Sequence, residues 1–445
     1  MAESRSSKAS PGWSIGYAQC DITPKKGQTL MSGYGRERYA SGALKPLRAQ
    51  AVAMRDPSGK IALLITADVL GFDRLSVEYI RRTLATERGL DPQGVMMAAS
   101  HTHWGPPTLY RVTLTVGPLD PWFVASFERK LIAMACEALD GLKSGSVSYG
   151  AIDTNVGHNR RVPVSDGSVT WGVNLDGHYD AHTPVLRLSR DSTADDVQDI
   201  VVVTHACHPT SSGGIDKFTP DYPGAMRDRI EKTLGPNTRA VFAMGCGADA
   251  KVTHEDATSG DFIFTGDPKN SAAAGRKLAS DVLTHLKNDA ADRVSISASL
   301  NCRIASGSLT MGKPRTREQL EATAFQRDNA NFEVWWSRQM LAYPDTRRKH
   351  YYEAQAWVLG DTLTLIGLEG EVCSPLGPLS RSLVKTPHAM TVAYANEVQG
   401  YIPSKSIVKE GGYEGESSHR AYFKPAPFTQ RVEAEFQSIV EASLG

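Results

Sequence analysis

The chain has 445 residues, 41% hydrophobic and 22% charged, with Lys+Arg and Asp+Glu both at 49. This is ordinary globular composition, which excludes disordered, collagen-like and fibrous classes. Zero formal charge and the lack of a long single-sign run argue against a nucleic-acid binder, since phosphate recognition needs a clustered basic surface, and leave a small molecule as the expected partner. At about 150 residues per domain the length corresponds to roughly two to three units, but large α/β chains merge these, and one large core is expected.

Residues 1–12 carry charge and small polar residues without an apolar stretch of secretory type, and read as a flexible tail. No later segment approaches the roughly 20 apolar residues of a spanning helix, so neither secretion nor stable membrane insertion is expected. Order begins at Trp13 with the strand-like WSIGYAQCDIT, which Pro24 ends. RAQAVAMRD and KIALLITADVLGF flank Pro57-Ser58-Gly59 and predict a hairpin whose second arm carries Asp68 at its end. Leu75, Val77, Ile80 and Leu84 fall at helical spacing, and the following VMMAAS is a buried strand stopping at His101. The alternation continues with a helix near 121–142, a strand at 200–206, a helix near 223–234, a strand at 239–245 and a helix near 268–287. Such a pattern predicts an α/β fold, mixed sheets with flanking helices.

Beyond about 294 the pattern shifts to SISASLNCRIAS, one long polar helix around 316–341, and two further strand regions, YYEAQAWVLGDTLTLIGLEGE and HAMTVAYANE. Trp335 and Trp336 lie on that helix, one expected to pack inward and the other to cap a groove. Gly360-Asp361 reads as a two-residue hairpin turn. No linker interrupts the chain, so residues 13–445 are expected to form one domain. The six cysteines, at 20, 136, 207, 246, 302 and 373, include no C-x-x-C pair. They fit buried small hydrophobes in a reducing, cytoplasmic setting rather than a disulfide scaffold or thiolate zinc knot.

Ligands of open α/β sheets gather where strands end. The strand at 95–100 runs into His101-Thr102-His103-Trp104; that at 200–206 ends near His205 and His208; that at 239–245 ends in Gly245-Cys246-Gly247-Ala248-Asp249. LTLIGLEGE ends at Glu369 and Glu371, and TVAYANE runs toward Tyr401. Imidazole suits zinc, and a catalytic zinc takes three or four protein ligands with one position left for water. One of His101 and His103 is expected to bind the ion and the other to handle protons. His205, inside an apolar strand, reads as a satisfied core residue, and His208 as the better ligand. Arg36 and Asp68 could reach the site or form surface ion pairs.

The segments GYAQCDITP, MSGYGRE, ASHTHWGP, HPTS, LEGEVCSP, NEVQGYIPS and GGYEG resemble, in order and across about 13–425, the motif set of the neutral, non-lysosomal ceramidase family. Tyr401 and Tyr413 keep the spacing between that family's metal tyrosine and the tyrosine of its Tyr-Glu-Gly motif. The resemblance implies a single large ceramidase-like catalytic domain with Zn2+ held by His101, His208, Glu371 and Tyr401. It places His103 and Tyr413 at the reacting bond, and Asn159 and Arg160 at the substrate. Two departures accompany it. The family's serine motif falls on Gly245–Asp249, with Ala248 where the serine would stand, leaving Cys246 as a conceivable nucleophile and Asp249 as a residue that could orient a base or substrate. Trp104 stands where the family commonly has a small residue, and would narrow the room for a long acyl chain. The family's C-terminal sandwich domain and secretory signal are expected to be absent. The expectation is a zinc-dependent hydrolase acting on an amide (N-acyl) bond of a soluble substrate through a metal-activated water. A metal-dependent esterase or lactonase, a glycan-acting hydrolase or lyase, and an inactive binding homologue are the alternatives.

Overall fold

The first predicted strand forms where its apolar run begins: Trp13–Asp21 pairs antiparallel with Arg48–Arg55, which pairs in turn with Ile61–Ala67. The hairpin expected around Pro57-Ser58-Gly59 is present. Asp56 clamps it by accepting from the Ser58 and Lys60 amides and the Ser58 hydroxyl, and Gly59 takes the left-handed φ of +90° that such a turn favours. The computed structural model describes residues 12–33, 39–112, 118–193, 196–288, 293–326 and 332–445. The tail expected at 1–12, apart from Gly12, and Arg36 lie outside the described residues.

Two parallel strand pairs are joined by helical crossovers, as parallel pairing requires. Ile61–Ala67 leads through the helix Arg74–Arg88 to Val95–Ala99, and Asp199–His205 leads through Asp221–Leu234 to Thr238–Met244. The first helix starts on an Asp73 side chain capping Leu75 N and stops at Gly89 with φ +66°. Both pairs belong to one mixed sheet, ordered from Thr238–Met244 through Asp199–His205, His182–Arg190, Lys143–Asp153, Trp13–Asp21, Arg48–Arg55 and Ile61–Ala67 to Val95–Ala99. Alternate side chains point to opposite faces of this sheet. Ala51, Leu63, Ile65, Met97 and Val203 join the core beneath the helices; Ile15, Val52, Leu64, Met96 and Val202 meet Trp357, Leu365 and Met390 of a second sheet.

The second sheet, Leu300–Thr310, Lys349–Leu359, Leu363–Leu368 and His388–Val392, is itself mixed, and the helix Val432–Leu444 packs on it through Phe436 and Tyr352. A third, smaller sheet, which includes Gly157–Pro163, Val169–Asn174 and Ala250–Glu255, carries Arg160, Trp171 and Lys251.

Two local expectations are corrected. The long helix at 316–341 is two helices, Arg317–Ala324 and Phe332–Ala342: a Thr316/Gln319 capping box starts the first, and Phe325 at φ −103° ends it. Residues 327–331 lie outside the described set. Trp336 goes inward and donates its indole N–H to Lys424 O at 2.9 Å, while Trp335 stays about half exposed. The Gly360-Asp361 turn is a three-residue loop, since Leu359 pairs with Leu363; Gly360 is left-handed there. All six cysteines are free, with Cys207, Cys246 and Cys373 buried. Among the described residues no helix is long and apolar enough to cross a membrane.

Candidate metal centre

His101 follows the last residues of its strand in a left-handed conformation, φ +62°, held by its amide donating to Val69 O at 3.0 Å. A non-glycine residue at positive φ is strained, and persists because surrounding contacts fix it. Its Nδ1 lies 2.5 Å from Leu70 O, and a carbonyl can only accept, so the proton sits on Nδ1 and the Nε2 lone pair faces the cluster. His208 leaves its own strand end through a bridge to Lys251, its amide donating to Ala250 O. Glu371 and Tyr401 are set side by side by a two-residue parallel pairing.

The rings of His101, His103 and His208 converge, one nitrogen from each lying within 4.8 Å of the others, and the trio could hold a metal ion. One histidine of the H-x-H pair is expected from the sequence to bind the ion and the other to handle protons; the chain turns at His101, and both rings reach the same point. His103 Nε2 is 3.3 Å from His101 Nε2 and 3.2 Å from His208 Nε2, and Glu371 Oε2 is 3.2 and 3.6 Å from those of His101 and His208. These separations of 3.2–3.6 Å are of the order expected between donors to one metal ion, about 3.3 Å for a tetrahedral site with bonds of about 2.0–2.1 Å. Glu371 Oε2 is buried without a hydrogen bond, whereas Oε1 accepts from the Tyr422 hydroxyl. An orphaned carboxylate oxygen beside two imidazole nitrogens fits a cation.

The electrostatics agree with that chemistry. Burial drives the pKa of His208 well down, with His101 and Arg160 adding to the shift, so it is the neutral imidazole that a metal requires. Burial alone would raise Glu371, but His101 beside it and the bond from Tyr422 hold it below the usual carboxylate range.

These groups line a cavity of about 700 Å³ with Arg160, Tyr401 and Tyr413. Arg160 donates to Glu414 Oε1 at 2.7 Å and to the Tyr401 hydroxyl at 2.9 Å, and its guanidinium lies 4.6 Å from the Trp171 ring centre. Arg161 holds the other Glu414 oxygen at 2.7 Å. Tyr413 is partly exposed, its ring 5.2 Å from that of Tyr401. Burial pushes the Tyr413 phenol well up, so it is a proton donor at neutral pH.

The remaining expected site residues lie elsewhere. Asp249 is buried behind the wall, accepting from the Ser374 amide at 2.6 Å, the Ser374 hydroxyl at 2.9 Å and Asn159 Nδ2 at 3.2 Å. Asn159 also donates to His178 O, so the pair braces the strand bearing Arg160 instead of lining the cavity. Trp104 is fully buried in the core beneath the helices and does not line the cavity. Cys246 is buried, and burial pushes its thiol well above the ordinary range, which removes the thiolate a nucleophile needs. His205 is the core histidine expected, 2.9 Å from both the Tyr179 and Thr183 hydroxyls. Asp68 pairs internally with Arg227 at 2.5 Å, and Glu369 pairs with Arg74 at 2.5 Å, each away from the cluster.

Sequence reasoning missed Gly33, Tyr422 and Lys251. Gly33, in MSGYG, has φ +82°, and a Cβ there would stand 2.8 Å from His103 Nδ1, so only glycine lets that ring into place. The glycine was visible in the sequence; its neighbour was not.

No family profile matches the chain, and no curated protein matches it in sequence. Among solved structures, the neutral ceramidase from Pseudomonas aeruginosa superposes with a TM-score of 0.75 at 17% identity, covering 98% of this chain and 74% of that one. A ceramidase complexed with C2 gives 0.74 at 15% identity, covering 97% and 75%. The chain therefore has the neutral-ceramidase fold, mixed sheets and flanking helices in one large domain.

Proposed function

We propose that the protein is a zinc-dependent amidohydrolase that cleaves the N-acyl bond of a soluble substrate. The observation that carries this is the Glu371 oxygen, buried without a hydrogen bond and set at ligand spacing from imidazole nitrogens beside a large cavity. The ceramidase fold supports the choice of bond, since the proteins sharing it are ceramidases by name, and ceramide is an N-acyl compound.

His101, His208 and Glu371 supply three donors, and the fourth is either His103, by its spacing, or the Tyr401 hydroxyl, by the family resemblance. When bound, zinc supplies Lewis acidity towards a carbonyl and lowers the pKa of a coordinated water to about 7. Leu70 O fixes the His101 tautomer, and Tyr422 fixes the Glu371 carboxylate. Arg160, held between Glu414 and Tyr401, orients the substrate; the Tyr413 hydroxyl donates to the carbonyl oxygen as it gains charge. The imidazole of His103 passes a proton to the leaving nitrogen if Tyr401 is the fourth ligand. Ala248 and the protonated, buried Cys246 offer no covalent route.

The test is metal content together with hydrolysis of a panel of N-acyl, ester and uronate compounds. The purified protein should carry about one zinc per chain. His208→Ala should lose both metal and activity; Tyr401→Phe and His103→Gln, compared for zinc retention, identify the fourth ligand. Full activity in metal-free protein refutes the proposal, and cleavage confined to esters or uronates moves it to the corresponding bond.

A further inference from the structure

Lys251 stands on the strand Ala250–Glu255 of the small sheet, and the bridge to His208 roots it beside the histidine cluster. Its Nζ donates to Thr210 O at 2.7 Å and Thr210 Oγ1 at 3.1 Å, and both residues line the cavity. No carboxylate among the described residues lies within ion-pair distance of that nitrogen; Asp221, which accepts from the hydroxyls of Ser211 and Ser212, acts on it only from beyond that distance. The two arginines of the same cavity differ. Arg160 is neutralised by Glu414 at 2.7 Å, and Arg420 faces, at 3.5 Å, a Glu333 that it shares with Arg315 at 2.6 Å. Among the described residues Lys251 is thus a cavity cation without a carboxylate at ion-pair distance.

An ammonium has three donors, and two are used, which leaves one for a ligand. Taking a cation out of water without a counter-charge is costly, and an anionic ligand removes that cost. One lysine without a carboxylate of its own suits a monoanion; a phosphate monoester, carrying about two charges near neutral pH, would also have to draw Arg420 away from Glu333. Position narrows the choice further. Because Lys251 is rooted next to His208 and both line one cavity, an anion on Lys251 shares that cavity with the bond being cut, and in an N-acyl α-amino acid the carboxylate carbon is two bonds from the amide nitrogen. Leu70, Val112 and Phe332, on the same cavity, offer apolar surface to an acyl group.

We infer that the cavity takes N-acyl α-amino acids, with Lys251 binding the carboxylate of the amino-acid part; this rests on the amidohydrolase reading above. Water adds across the amide: the C–N bond breaks, a C–O bond forms, both protons of the water end on the leaving nitrogen, and the products are a carboxylate and a free amino acid with its amino group protonated. Lys251 is a specificity residue that touches the substrate away from the reacting atoms.

The test compares N-octanoylglycine, N-octanoylglycinamide and N-octanoyltaurine on the zinc-loaded full chain, by steady-state kinetics and by calorimetric binding. A hydrogen bond to a charged partner predicts that wild type prefers the glycine over the glycinamide conjugate by about 30-fold, mainly through KM. Lys251→Met, or Lys251→Gln where the first variant does not fold, should bring the ratio to within about three-fold, which a purely structural lysine would not do. Equal handling of the two by wild type, in kinetics and in binding, overturns the inference, and a stronger preference for the taurine conjugate overturns the carboxylate assignment. Lysine-dependent binding of N-octanoylglycine without cleavage of either amide upholds the anion site and refutes the amidohydrolase reading instead.

Discussion

Replacing Gly33 by alanine tests whether His103 belongs to the centre without altering any proposed ligand. At φ +82° an alanine costs about 1 kcal/mol relative to glycine. Its Cβ would stand 2.8 Å from His103 Nδ1 and 2.9 Å from His103 Cβ. Comfortable separations are about 3.5–4.0 Å, so the imidazole has to retreat by about 0.7 Å. A displacement of about 1 Å in a catalytic array costs on the order of 100-fold, and kcat/KM should therefore fall by about 10- to 100-fold. The stability change is small by comparison, since about 1 kcal/mol lowers Tm by about 2–4 °C even in domains half this size. Steady-state hydrolysis of an N-acyl substrate, zinc content and a thermal melt on the same preparation separate the two effects. Wild-type kcat/KM in a folded Gly33→Ala protein would show that His103 is a bystander.

The Glu414 pair gives a pH prediction. Burial opposes its charge, yet Arg160, reinforced by Arg161, holds the carboxyl below the usual carboxylate range. A depressed folded pKa means stability that is present above the ordinary value of about 4.3 and lost as pH falls through the lower folded value. Urea midpoints should fall more steeply below about pH 4.3 in wild type than in Glu414→Gln, which should be the less stable of the two at pH 7; parallel curves would show that the pair contributes nothing. Cys246→Ala should keep kcat/KM within about two-fold, because the thiol is buried and protonated; its loss, with the fold intact, would restore a nucleophile.

Much of the architecture was legible without coordinates because it depends on local periodicity. The hairpin at 48–67, the helix at 74–88 and the buried strands entering His101 and His208 are written in apolar spacing and turn residues. Breaks hidden inside a polar helical stretch were not: Phe325 ends a helix at a site with no Gly or Pro to mark it. Residue types at strand ends also pointed to His101, His208 and Glu371, while Arg160 came from the family resemblance alone. Asp249 and Trp104 satisfied the same rule of position, yet their side chains turn into hydrogen bonds and core packing behind the wall.

By itself, then, the sequence determined the supply of ligand types and the strands that deliver them, since both follow from composition and short-range pattern. Tertiary structure decided the rest, because it alone sets distances between residues far apart in the chain. The left-handed turn at His101 brings His103 to the same point as its neighbour; a two-residue pairing sets Glu371 against Tyr401; the bridge to His208 roots Lys251 at the cavity wall. Ion pairing is a property of three-dimensional proximity, and a net charge of zero along the chain gave no hint that, among the described residues, Lys251 stands in the cavity wall beyond ion-pair distance of a carboxylate.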